Sequence, residues 1–234
     1  MNKWRQEWWV WVMPLCLYGF LSSLYLLAVP LGESPDEPGH LQCIQQVAVA
    51  NRLPIVNPKP SGQWWQPETT QSGRMCYHMP LYYLIAGGTQ KVISLMSATP
   101  LQLEFPAFNH RFPETGVMFL HPQASHSFQV TEPLITFGLR LLSMIFGGVV
   151  VTVTVFVGRT VFLAEPMTVL FGALLVAGWP QFLFMSRAIS NDMLVTALLC
   201  LVLVVLIHRG RPAACRSQPR SARRLARRSS PRSG

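Results

Sequence analysis

Charge is scarce in this chain. Asp, Glu, Lys and Arg make up 12% of its 234 residues while 50% are hydrophobic, a balance that leaves too little polar surface for an ordinary soluble enzyme. Acidic residues are absent from residue 209 onward, where nine arginines fall, and before that point ten Lys and Arg face ten Asp and Glu. The formal charge of +9 therefore belongs to the tail and does not describe a nucleic-acid-binding surface on the body. No C-x-x-C or similar spacing links the five cysteines, which excludes the common zinc and dithiol motifs. Cys43 and Cys76 lie in the same polar segment and can pair if it faces an oxidising compartment; free buried thiols are the alternative.

Charge is also missing from residues 8–32, 141–158, 166–186 and 193–207. Each run approaches the ~20 apolar residues that cross a bilayer, so the pattern predicts an all-α integral membrane protein with about four transmembrane helices. The first run is read as an uncleaved anchor: its apolar core exceeds the ~7–15 residues of a signal peptide, and no small-x-small cleavage site follows. The fourth is short, so it borrows from 188–191 or lies tilted. Residues 1–32 then hold the N-terminal segment and first span, 33–140 an external loop domain, 141–208 spans two to four, and 209–234 a disordered Arg-rich tail. Lys3, Arg5, Arg159 and the tail fall on one side if four spans alternate, which predicts cytoplasmic termini. The tail reads either as a polybasic attachment to anionic lipid or as a truncated or frame-shifted end.

Within the external segment, Leu41, Ile44, Val47 and Ala48 recur at helical spacing from about Asp36 to Asn51. A second helix is expected from Pro80 to about Met96, with Leu81, Leu84, Ile85, Val92 and Leu95 as its apolar side and Tyr82 and Tyr83 suited to an interface. Both helices are expected to lie flat on the outer membrane surface as interfacial amphipathic helices. Residues 98–133 are proline-rich and show no sustained period. His110, His121 and His126 occur there; three histidines can bind zinc, but their spacing puts them on no common face, and polar loop histidines are the simpler reading.

Chemistry gathers at the string SPDEPGH, residues 34–40, just past the first span. Ser34 and Glu37 have the spacing of a capping box, with Pro35 suited to the first helical position, but such a cap requires neither Asp36 nor His40. Ionisable groups at a membrane boundary are costly unless hydrated, paired or metal-bound. Asp36, Glu37, His40, His78, Tyr82, Arg140, Arg187, Asn191 and Asp192 all fall on the outward side. Acid–base chemistry there needs a carboxylate to take an acceptor proton and a cationic group or metal at a departing phosphate. Asp36 supplies the first and Arg140 or Arg187 the second; each arginine also fits a helix-end anchor.

The string SPDEPGHLQCIQQVAVANRLPIVNP resembles the opening of the first external loop in bacterial GT-C-type membrane glycosyltransferase-like proteins. YHMPLYYLIAG is similar to their Q-P-P-L-Y-Y segment, with His78 and Met79 in place of Gln-Pro. FNHRF, FLHP, RLLS at 140–143 and WPQFLFMSRAISND are similar to the later landmarks of a large subfamily, so the likeness runs over residues 1–208. It implies a plasma-membrane, cell-envelope protein taking a sugar from a polyprenyl-phosphate donor on the outer face, with membrane lipid as partner and no nucleic acid. Asp36 becomes the catalytic base or metal ligand, with Glu37 beside it as the lesser carboxylate or second ligand of a divalent cation. Asn191 and Asp192 become site-lining, and His40, His78, Tyr82, Arg140 and Arg187, gathered on the same outward side, are read with them as substrate-binding. Glu37→Gln is then expected to cost less than Asp36→Asn. Family members continue through several more spans, so the resemblance implies an incomplete N-terminal portion. The alternative is a non-catalytic protein that binds a lipid carrier or partner subunit through its external domain.

Overall fold

The computed structural model describes residues 7–30, 32–34, 36–53, 76, 78–97, 107–108, 119–120, 134–163 and 165–210. His110, His121, His126 and the tail beyond 210 lie outside them. The described chain is all-helical apart from one antiparallel two-residue ladder, β1 (Ala107–Phe108) with β2 (Phe119–Leu120), in a segment expected to be loop. The helices are α1 (Trp9–Ala28), α2 (Glu37–Ala50), α3 (Pro80–Ser97), α4 (Leu134–Val161), α5 (Pro166–Gly178), α6 (Pro180–Arg187) and α7 (Asp192–Gly210).

Three of these, α1, α4 and α7, are long and apolar enough to cross a membrane, and α5 with α6 forms a fourth candidate as a broken pair bent by 56°. The expected third span is therefore interrupted. Trp179, the residue before Pro180, is extended at φ −68° and ψ 117°, because a proline ring crowds the helical conformation of its predecessor. Much of the apolar surface meets no protein: Leu198, Leu199, Leu201, Val202, Leu203, Val205 and Leu206 on α7 are all exposed. In water, a row of that length would be a large apolar patch on a monomer; hydrocarbon removes the penalty.

At 28 residues, α4 is about 42 Å long, and it packs against α1, α3, α5, α6 and α7. On α1 the buried residues Val10, Pro14, Tyr18, Ser22 and Leu26 recur every fourth position, forming one ridge of the kind that fits a neighbouring groove. Val10 meets Val155, Val169 and Ala173, and Tyr18 meets Val151, Ala177 and Leu183. The Tyr18 hydroxyl donates to the Met144 carbonyl at 2.8 Å. Gly147 allows that approach, since a methyl there would collide with the Tyr18 hydroxyl and crowd Ser186. At the opposite end of this interface Glu7 pairs with Arg159.

Helix α2 packs on α3, and α3 on α4. The expected stripe on α2 is buried, with Leu41 and Ile44 fully enclosed, and Cys43 is joined to Cys76 by a disulfide. On α3 most of the expected apolar row meets no protein, while the tyrosines expected at an interface are enclosed. Tyr82, Tyr83, Ala86, Gly87 and Gln90 are buried, whereas Leu81, Leu84, Val92, Leu95 and Met96 are exposed. Tyr82 and Tyr83 thus belong to a core with Leu41, Ile44, Ile135, Leu139, Ile189 and Leu194. A two-sided helix offers two apolar rows, and periodicity cannot tell which one meets protein.

Candidate functional site

The expected capping box does not form. Asp36 stands at the N-cap of α2 in the left-handed region, φ 60° and ψ −1°, without a side-chain cap bond, and its carbonyl accepts the His40 N–H at 3.1 Å. Aspartate is among the few residues with a side chain that tolerate this region. The turn sends the Asp36 carboxylate to the surface and Glu37 inward: Asp36 is exposed and Glu37 fully buried.

Glu37 is the node of the structure. Its Oε1 accepts from Arg140 Nε at 2.9 Å and from the Ile189 N–H at 3.3 Å. Oε2 accepts from the Gly32 N–H at 2.9 Å and from Arg140 Nη2 at 3.0 Å. An ionised carboxylate offers roughly four lone-pair positions, and here four donors fill them. Arg140 continues outward, Nη1 donating to the Val29 carbonyl and Nη2 to the Pro30 carbonyl, each at 2.9 Å. It thereby caps carbonyls left over just past the end of α1. One ion pair ties together the end of α1, the start of α2, the second turn of α4 and the 188–191 turn. Burial alone pushes the Glu37 carboxyl up, but the Arg140 charge and hydrogen bonds, the Gly32 N–H and the Arg187 charge outweigh it and hold the group below its ordinary value.

The sequence-derived roles change accordingly. Glu37 has no lone-pair position left for a proton or for a cation shared with Asp36, and among the described residues no three His, Cys, Asp or Glu side chains are grouped to hold a metal ion. Arg140 is completely buried and bound to Glu37, not an exposed helix-end anchor. Arg187 is also completely buried; its Nη2 donates to Ser34 Oγ at 2.7 Å and its guanidinium lies 4.7 Å from the Phe184 ring centroid. Ser34, read as half of a capping box, serves Arg187 instead.

Above this node lies an aromatic and acidic group. His40, 2% exposed, shares a 2.9 Å hydrogen bond between Nδ1 and the Tyr83 hydroxyl. Its ring stacks on Tyr83 and meets His78 and Tyr82 edge-on, at centroid distances of 5.9, 5.5 and 6.3 Å. Burial and the charge of His78 lower the His40 pKa to about 4 against the pull of Asp192, Asp36 and Glu37, so the imidazole is neutral at physiological pH. Burial raises the hydroxyl pKa of Tyr82 and Tyr83, and Asp192 adds to both. His78 and Asp192 are exposed and Asn191 half-buried. Asp192 opens α7, where the helix dipole favours a carboxylate.

The residues singled out from sequence thus gather at one end of the helical bundle, divided between a buried ion-pair node and an exposed rim. Sequence reasoning missed Ser34, Tyr83 and the 188–191 turn as partners. One signal was available: extending the Leu41–Ile44 stripe back by one turn reaches Glu37 and His40, and passes over Asp36.

These features define an all-helical protein with three to four helices able to cross a membrane and a polar site where several of them end. Comparison with protein-family models, curated proteins and solved structures finds no match to this chain.

Proposed function

We propose that this is a bacterial plasma-membrane protein of the GT-C glycosyltransferase-like kind, with both termini cytoplasmic and residues 32–140 outside, acting on a polyprenyl-phosphate sugar at the outer face. The observation that carries the reading is the exposed Asp36 carboxylate, turned to the surface at the head of α2 beside His40, with Asp192 on the same rim. A base that accepts an acceptor's hydroxyl proton must be within reach of that acceptor, and this carboxylate is open to the outside while its neighbour Glu37 is not. The Cys43–Cys76 disulfide suits an oxidising outer compartment. The exposed row Leu81, Leu84, Val92, Leu95 and Met96 on α3 suits a helix resting on the headgroup boundary.

The test is sugar transfer from a polyprenyl-phosphate donor in membranes. Asp36→Asn keeps a residue that tolerates the left-handed turn, so disulfide formation and membrane insertion should match wild type while transfer falls by about 10²–10⁴-fold. Equal transfer by the variant refutes the base assignment. A second reading, a non-catalytic protein that binds a lipid carrier or a partner subunit, is favoured by one observation: Glu37 and Arg140 satisfy each other and present no charge to a ligand. Carrier binding by a wild type without transfer decides for it.

A further inference from the structure

Below the rim, polar side-chain atoms from three elements are enclosed in the interior. The hydroxyls of Tyr82 on α3, Ser143 on α4 and Ser190 in the α6–α7 turn, with the side-chain oxygen of Asn191, are buried and make no hydrogen bond among the described residues. Tyr82 is 1%, Ser143 0% and Ser190 1% exposed, so bulk water does not reach them. Tyr82 and Ser143 are close enough for the serine to lower the tyrosine's pKa against the effect of burial, yet no bond of full hydrogen-bond geometry closes between them. Ser190 and Asn191 follow Ile189, which packs in the same core as Tyr82, and precede Asp192, whose carboxylate acts on the Tyr82 hydroxyl. Leaving one such group unsatisfied costs about 1–3 kcal/mol, and irregular backbone at membrane depth persists where it is buried in protein or lines a hydrated cavity.

We infer that Tyr82, Ser143, Ser190 and Asn191 form an internal polar site, between α3, α4 and the α6–α7 turn, that takes a neutral hydroxyl-bearing group by bridging their hydrogen bonds. Together the four groups offer both donor and acceptor capacity, as a hydroxyl needs, and none of them carries charge. An ion is disfavoured because none of the four groups can neutralise it and the nearby Glu37 and Arg140 charges are spent on each other. In the resting protein the occupant is water, which bridges polar groups that stand too far apart to bond directly. The site does not depend on transfer activity and serves a carrier-binding protein equally.

The test uses the full chain in membranes, with Cys16, Cys200 and Cys215 replaced by alanine and Ser143→Cys or Ser190→Cys introduced singly. Labelling is compared between a neutral hydroxyethyl methanethiosulfonate and its anionic sulfonatoethyl and cationic trimethylammonioethyl counterparts. Ala177→Cys, buried among apolar residues, is the dry control, and retention of the Cys43–Cys76 disulfide reports folding. The neutral reagent should label both positions at least about tenfold faster than either ion, the signature of a desolvated uncharged site, and faster than it labels Ala177→Cys. Both serine positions as inert as the control, or an ionic reagent reacting fastest, overturns the inference.

Discussion

Removing the Glu37 charge tests the structural argument most directly. Glu37→Gln preserves shape but faces Arg140 Nη2, the Gly32 N–H and the Ile189 N–H with a group that is half donor, and it leaves Arg140 buried without its counter-charge. Breaking a buried pair from one side costs about 3–5 kcal/mol, and Arg140→Met should cost a similar amount. In the double variant no charge is stranded, but Val29 O, Pro30 O and one of the Gly32 and Ile189 N–H groups lose a partner, the glutamine oxygen keeping the other. At about 1 kcal/mol each, the double should cost about 3 kcal/mol, well below the sum of the two single variants, a coupling that the double-mutant cycle reads directly. For a chain of this size about 4 kcal/mol lowers Tm by roughly 8–16 °C, measurable by thermal unfolding in detergent or nanodiscs. The swapped pair Glu37→Arg with Arg140→Glu keeps both charges but aims a carboxylate at the Val29 and Pro30 carbonyls, so it should not recover stability. A Glu37→Gln melt within a few degrees of wild type, or recovery by the swap, would refute the node.

Acid should weaken the fold in two separate windows. The folded His40 value of about 4 lies below its ordinary 6.5, so the unfolded chain binds a proton first; its contribution is complete above pH 6.5 and is lost as pH falls toward 4, about 3 kcal/mol in all. His40→Gln should flatten the Tm–pH curve over that interval. Glu37, lowered from 4.5, contributes fully above pH 4.5 and loses its contribution only below it, so a second drop should survive in His40→Gln. Gly147→Ala should cost about 1–3 kcal/mol by overpacking against Tyr18, and adding Tyr18→Phe should recover part of it; no recovery in thermal unfolding would refute the close contact. Cys43→Ser should cost about 2–4 kcal/mol through loss of the disulfide, and failure of wild type to show the bond by non-reducing mass analysis would count against an outward-facing segment.

The helices were legible where burial has one partner. The stripe on α2 and the uncharged runs of α1, α4 and α7 follow from hydropathy alone, because hydrocarbon and protein core ask for the same residues. The break at Trp179 was signalled by Pro180 but hidden inside an uncharged run. The buried face of α3 was not legible: Tyr82, Tyr83 and Gln90 look less core-like than Leu84 and Leu95, and their burial depends on partners from α2 and α4 that local spacing cannot reveal. Membership of the site could be read, because ionisable groups at the ends of apolar runs are few. The division of roles could not, since it turns on one positive φ at Asp36 that exchanges which of two adjacent carboxylates faces inward.

That exchange governs how the site is to be tested. Two neighbouring carboxylates invite treatment as a pair, with the aspartate essential and the glutamate auxiliary. Their surroundings separate them: Glu37 holds four donors in the interior, whereas Asp36 is exposed and its own side chain caps nothing. Glu37→Gln is thus expected to reduce any activity by loss of folded protein, with Tm and activity falling together. Asp36→Asn is expected to change activity at unchanged Tm. The sequence-based ranking, in which the glutamate matters less, is therefore reversed for stability and kept for chemistry. Measuring Tm and transfer on the same preparations separates the two: activity lost by Glu37→Gln at wild-type Tm would move the chemistry from the rim to the buried node.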